Sequence, residues 1–179
     1  MSFFVEIGDA YSHHHDVGKK LSLNLPNLSD LIPIYSMEYG ISKSVKKKAT
    51  ETTVSHARTH ELVFTKAFDG NSNEILHHAA IRKTKEVRIY VTESASEDSG
   101  SSLGGLVSSV ADKASSLNIK AVLTFGDAHI RSVHTSGSGA TGGVLVETVH
   151  VNYSTLMIRN LVGGQASSQG YDFKTGKAL

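Results

Sequence analysis

Ten histidines in a chain of 179 residues that lacks cysteine raise metal chemistry first. Imidazole is the commonest metal ligand, and a site needs several of them aimed at one point. His13, His14 and His15 are consecutive, so no regular element turns all three to the same side. His56 and His60 stand four apart, but the intervening Ala57-Arg58-Thr59 lacks the glutamate base of a zinc protease. His77 and His78 are neighbours on a short predicted helix and diverge. These are read as surface or interface histidines. No metal and no other cofactor is expected.

Gly100-Ser101-Ser102-Leu103-Gly104 fits the G-x-S-x-G spacing of a hydrolase nucleophile elbow. That chemistry needs an apolar strand running straight into the serine, so that a tight turn lifts its hydroxyl off a sheet. Here the polar run Ser94-Ala95-Ser96-Glu97-Asp98 precedes it. In so Ser/Gly-rich a segment the match is read as accidental, with Ser101 or Ser102 as a helix N-cap. The glycines at 137–143 are followed by no Lys-Ser/Thr pair, which excludes a phosphate loop of that type. Lys46, Lys47 and Lys48, with Lys43 nearby, have no interleaved aromatics. The chain around them is nearly neutral, with 18 Lys plus Arg against 17 Asp plus Glu. They fit a solvated loop or a contact with another protein better than nucleic acid or membrane. No catalytic residue is assigned, and the chain is not expected to be an enzyme. An enzyme using Ser102 or a histidine pair is the remotest alternative.

The elements that carry these residues alternate with period two. Phe3, Val5 and Ile7 oppose Phe4, Glu6 and Gly8; Leu21, Leu23 and Leu25 oppose Ser22 and Asn24. Tyr35, Met37, Tyr39 and Ile41 oppose Ser36, Glu38, Gly40 and Ser42. Val149, Val151 and Tyr153 oppose His150, Asn152 and Ser154. Such strands, separated by Gly/Ser/Asn turns, indicate an antiparallel sandwich or closed barrel. The segment 119–133 changes its apolar phase at Gly126-Asp127, where a bulge or bend is expected.

The stretch 61–91 reads as strand, turn, helix, strand. Its first strand is apolar, with Leu62 and Phe64, and ends on Lys66. Asp69-Gly70 makes the turn. Asn71 and Glu74 have the spacing of a capping box for a helix of at most three turns. Val87, Ile89 and Val91 then alternate with Arg88, Tyr90 and Thr92.

Three segments interrupt the pattern. Residues 43–53 read as a charged loop, and 135–143 as a Gly/Ser linker. Residues 93–118 begin as polar low-complexity sequence. Leu103–Leu117 then has helical spacing, with a narrow apolar stripe that includes Leu106, Val110, Ala114 and Leu117. This is read as an amphipathic helix inserted between two strands. The fold class expected is mainly β: an antiparallel β-barrel of two packed sheets with one short helix, plus the inserted amphipathic helix. Residues 1–179 form a single domain, with the helical insertion at about 93–118.

The start of the chain has no basic region before its apolar residues and an acid at Glu6, unlike a signal peptide. No apolar run approaches the ~20 residues of a membrane helix. Export, if it occurs, is expected to bypass the general secretory route.

Several motifs occur in an order that resembles the haemolysin co-regulated protein (Hcp) family, the tube protein of bacterial type VI secretion systems. Phe4-Val5-Glu6-Ile7-Gly8-Asp9 looks like its opening strand. Tyr35-Ser36-Met37-Glu38-Tyr39-Gly40-Ile41-Ser42 looks like the aromatic-glycine strand leading into the family's extended loop. Leu62-Val63-Phe64-Thr65-Lys66, followed by Phe68-Asp69, resembles its most recognisable segment. Ile130-Arg131-Ser132-Val133, Glu147–Tyr153 and Gly170-Tyr171-Asp172-Phe173-Lys174 follow in order. Residues 93–118 depart from the family, which usually has a short connection there.

The resemblance implies a homo-hexamer with an open centre, stacked into a tube. A contractile sheath drives that tube, topped by a spike (VgrG-like) protein, out of the bacterial cytoplasm, with effector proteins in its lumen. It implies a ring-stacking role for the loop carrying Lys43, Lys46, Lys47 and Lys48. The small polar stripe Ser36, Glu38 and Ser42 suits a lumen face, or equally an ordinary solvent face. The alternative function is a monomeric β-barrel binding module for a small ligand or glycan.

Overall fold

The computed structural model describes residues 1–8, 31–48, 51–55, 57–81, 85–93, 119–137, 143–161 and 166–179. The strands are β1 (Ser2–Gly8), β2 (Ile32–Ile34), β3 (Ser36–Glu38), β4 (Ile41–Ser42), β5 (Val45–Lys48), β6 (Glu51–Val54) and β7 (Arg58–Thr59). They continue as β8 (Leu62–Ala67), β9 (Lys85–Thr92), β10 (Ile119–Ser136), β11 (Val146–Asn152), β12 (Thr155–Asn160), β13 (Ser167–Asp172) and β14 (Lys177–Ala178). The helix α1 spans Ser72–Ile81. Every strand pair is antiparallel.

Two sheets share β10. One runs β2-β1-β9-β10-β12-β13-β14, and the other runs β10-β11-β8-β3. β10 can serve both because it bends at the place where its apolar phase slips. Its register with β9 shifts between Phe125 and Ala128, and Asp127 has φ 51°. Among non-glycine residues Asp is one of the few that tolerate this left-handed region. The Ser154 hydroxyl donates to the Asp127 carboxylate at 2.6 Å, and Lys174 pairs with the same oxygen. These contacts hold the carboxyl of Asp127 below the usual aspartate range, Lys174 more than Ser154.

At the other corner, the segment 32–38 changes sheets. β2 pairs with β1, Tyr35 turns outward, and β3 pairs with β8. The ladder is interrupted at Tyr35, so among the described residues the barrel is not closed. The sequence pattern put Tyr35, Met37, Tyr39 and Ile41 on one face. Met37 and Tyr39 do pack against the core, whereas Tyr35 and Ile41 are exposed. The sheet switch turns Tyr35 away from the core, and Ile41 already belongs to the projecting arm.

The core lies between the sheets. Val5, Ile89 and Leu123 meet across three strands of the first, and Leu62, Phe64, Val149 and Val151 face them from the second. Phe125 is fully shielded and meets Tyr39 and Tyr153 edge-on, with ring centroids 5.6 and 4.9 Å away. The Tyr153 ring continues to Phe173 at 6.1 Å, which draws the closing Gly-Tyr-Asp-Phe segment onto the barrel. Edge-to-face geometry is the favoured one for such pairs. Burial pushes the Tyr153 hydroxyl up to about 12.

α1 packs on β10 and sends Ile75 into the core. Its start differs from the expected capping box. The Asp69 carboxylate accepts the Asn71 N–H at 2.9 Å, and the Asp69 N–H donates to the Ser72 hydroxyl at 2.9 Å. Glu74 meets His78 at 3.4 Å instead of reaching back. Leu21–Leu25 lie outside the described residues.

Candidate assembly surfaces

Residues 43–53, read from the sequence as a loop, contain a hairpin. Lys46, Lys47 and Lys48 of β5 pair with Thr53, Thr52 and Glu51 of β6. Nearer the body, β4 pairs with β7, Ile41 with Thr59 and Ser42 with Arg58. Between the two ladders the Ser55 hydroxyl accepts the Ser44 N–H at 2.9 Å, and the Ser55 N–H donates to the Ser44 carbonyl at 2.8 Å. Two residues separate the ladders on the outgoing limb and three on the returning one, so the returning limb carries one extra residue as a bulge. The result is an arm that, among the described residues, pairs only with itself and adds to neither main sheet. Ile41, Lys43 and Val45 are exposed along it. The sequence missed the hairpin because lysine and threonine alternate no hydrophobic signal.

Ser36 and Glu38 stand on the outer face of the second sheet. Cross-strand register places Glu38 beside Val63, then His150, then Ser132. Ser36 lies beside Thr65, then Thr148, then His134 in the next row. The Ser36 and Thr65 hydroxyls are 2.6 Å apart. Ser36, Glu38 and Ser42 are all exposed, but Ser42 belongs to the arm and not to the sheet. Periodicity thus found two members of a polar wall; cross-strand pairing supplies the rest.

Glu61 anchors the edge of this wall. Its carboxylate accepts Arg131, the bulged residue of β10, and lies 3.0 Å from His150 Nδ1. Arg131 first, and His150 second, hold the Glu61 carboxyl below its usual range. The His150 and His134 rings meet at right angles, 5.8 Å apart. A shallow depression of about 560 Å³ opens beside them, lined by Glu38, Tyr39, Gly40, Ile41, His60, Glu61 and Val63.

Behind the wall is a feature the sequence concealed. Lys66 is in phase with Leu62 and Phe64, and its side chain is wholly buried. Its ammonium meets Glu147 Oε2 at 3.0 Å, Asp69 Oδ1 at 2.8 Å and the Ser72 hydroxyl at 3.1 Å. Ser72 in turn donates to Glu147 at 2.7 Å. One network therefore ties the helix start to β8 and β11. The same period-two phase that placed Phe64 inside could have flagged Lys66.

The stripe Leu106, Val110, Ala114 and Leu117 lies outside the described residues, as do His13, His14, His15, His56, Ser101 and Ser102. On α1, His77 is exposed and His78 buried. Among the described residues, no group of three or more His, Cys, Asp or Glu is arranged to hold a metal ion.

No curated protein sequence matches the chain. Solved structures do. Hcp1 from Salmonella typhimurium shares 20% identity at a TM-score of 0.61, covering 99% of this chain and 98% of that one. A type six secretion system protein shares 13% at 0.66, covering 99% of both. The secreted protein Hcp3 from Pseudomonas aeruginosa shares 15% at 0.53, covering 96% of this chain and 99% of that one. At these identities the likeness is one of fold. The sequence model of the family described as type VI secretion system effector, Hcp, matches residues 24–159, about three-quarters of the chain. With that match over most of its length, this chain belongs to the Hcp family.

Proposed function

We propose that this chain is a subunit of the type VI secretion inner tube, forming stacked hexameric rings that carry and deliver effectors. The observation that carries the reading is the arm, a hairpin that, among the described residues, leaves the barrel and pairs only with itself. A monomer gains little from such a projection, whereas a repeating assembly can seat it on the next copy. Among the described residues β3 pairs on one side only, with β8, an edge that a neighbour could use. The barrel interior is filled by Leu62, Phe64, Phe125 and Ile75, all essentially shielded, so a binding module would have to use the surface.

In this reading the subunit is made in the bacterial cytoplasm, meets a spike protein and a contractile sheath, and leaves with its cargo. Its role is structural and not catalytic. Negative-stain microscopy and light scattering of the purified protein test it. Rings of six copies are expected; a monomer that forms no rings even at high concentration overturns the proposal.

A further inference from the structure

The wall and depression beside Glu38 collect four histidines. His60 lines the depression with Glu38 and Glu61. His150 lies next to Val63 and Glu61, and His134 contacts His150 ring to ring. His129 shares the face through its pairing with Asn152. His60, His129 and His134 are exposed, and His150 is half-buried.

The fixed charges facing them are few. β3 contributes Glu38; the start of β8 contributes Glu61; β10 contributes Arg131. Two carboxylates and one guanidinium give −1, and four added protons would give +3. Asp127 near His129 is paired with Lys174, so that pair cancels. Lys43 and Arg58 stand on the arm and not on the sheet. Glu61 is engaged by Arg131 and His150, which leaves the exposed carboxylate of Glu38 as the free anion of this face among the described residues.

We infer that this face is a charge-reversing contact surface for a basic segment of a protein cargo, retained at neutral pH and released as the histidines protonate. The inference rests on the tube reading, in which this face lines the lumen, and names the chemistry of what it would hold. A lysine or arginine of the cargo can pair with Glu38 while the neighbouring imidazoles are neutral. A proton added to any of these imidazoles places a like charge on the face that holds that pair. At about 4.8 Å per strand His150 lies roughly 10 Å and the β10 histidines roughly 14 Å from Glu38, so each new charge in water weakens such a contact about 1.5- to 2-fold, and four together about tenfold.

The test uses the full chain and a fluorescein-labelled oligolysine peptide, with anisotropy read at about pH 8 and about pH 5.5, on either side of the free histidine value. The wild type is expected to bind about tenfold more tightly at the higher pH. Glu38→Gln should weaken binding there. The exposed triple variant His60→Gln, His129→Gln, His134→Gln should bind nearly equally at both, and adding His150→Gln should remove the remaining difference. Because the triple variant alters only exposed side chains, it keeps the test readable if the quadruple variant does not fold. A triple variant with the wild-type pH response overturns the inference, as does Glu38→Gln binding unchanged. Microscopy of the same samples reports ring formation separately, so absence of rings counts against the tube reading and not against the charge reversal.

Discussion

Lys66 and Glu147 lie 81 positions apart, yet the Lys66 ammonium sits 3.0 Å from Glu147 Oε2 with both side chains fully shielded from water. Taking two charges out of water costs several kcal/mol per ion, and only their mutual attraction and further hydrogen bonds offset it. Here Asp69 and Ser72 supply those bonds, and both belong to the turn that starts α1. The pair therefore fixes where the helix begins relative to β8 and β11. It specifies position more than it adds stability.

Lys66→Met should consequently destabilise the fold by about 3–5 kcal/mol, because Glu147 is left charged and unpaired inside. The double variant Lys66→Met, Glu147→Leu should recover most of the loss. Urea unfolding of the three proteins measures both values. A single variant as stable as wild type would show that the pair contributes little.

Acid should weaken the fold through the bend in β10. Asp127 has its carboxyl held below the ordinary 3.8, first by Lys174 and then by Ser154. A depressed carboxylate contributes stability above its unfolded value and loses it as pH falls through the folded one. Stability should therefore decline below about pH 4, where Asp127 begins to protonate. Asp127→Asn keeps a residue that tolerates φ 51° and removes the charge, so its decline should be shallower. Asp127→Ala adds backbone strain of order 1–3 kcal/mol. Thermal melts across the acid range distinguish the two substitutions, and identical slopes for wild type and Asp127→Asn would refute the assignment.

The strands were legible because burial on one side of a sheet imposes period two, and Val5, Phe64, Ile89 and Val149 all obey it. The bend at Gly126-Asp127 was legible as a slip in that phase. The arm was not, since a ribbon that joins neither main sheet among the described residues imposes no apolar alternation, and Lys46–Lys48 with Thr52 and Thr53 show none in sequence. The wall was half legible. Ser36 and Glu38 are on one strand, but their neighbours Thr65, Thr148, His134 and His150 come from pairing at long range. In sequence Lys66 is only the charged end of a strand, because nothing local reveals Glu147.

If the arm stacks one ring on the next through Lys43, Lys46, Lys47 and Lys48, the contact is largely electrostatic. Reversing Lys46, Lys47 and Lys48 to glutamate should leave rings intact and abolish their stacking. Salt at about 1 M, where the Debye length is near 3 Å, should do the same to wild type. Sedimentation velocity separates single rings from stacks. Stacks that survive both treatments would place the stacking contact elsewhere.

The insertion offers the last test. Thr92 at the end of β9 pairs with Ile119 at the start of β10, so the chain leaves and returns at adjoining points of one sheet. A short Gly-Ser link can therefore replace residues 95–116 without straining either strand. The expected stripe Leu106, Val110, Ala114 and Leu117 is too apolar to leave in water, and we propose that it docks on the outer or end surface of its own barrel or on a neighbouring subunit. Seated in the lumen, it would exclude cargo. Deletion should then weaken either the barrel, read by thermal melting, or the ring, read by dissociation on dilution. A deleted protein that melts, assembles and stacks like wild type would leave the helix with no part in assembly.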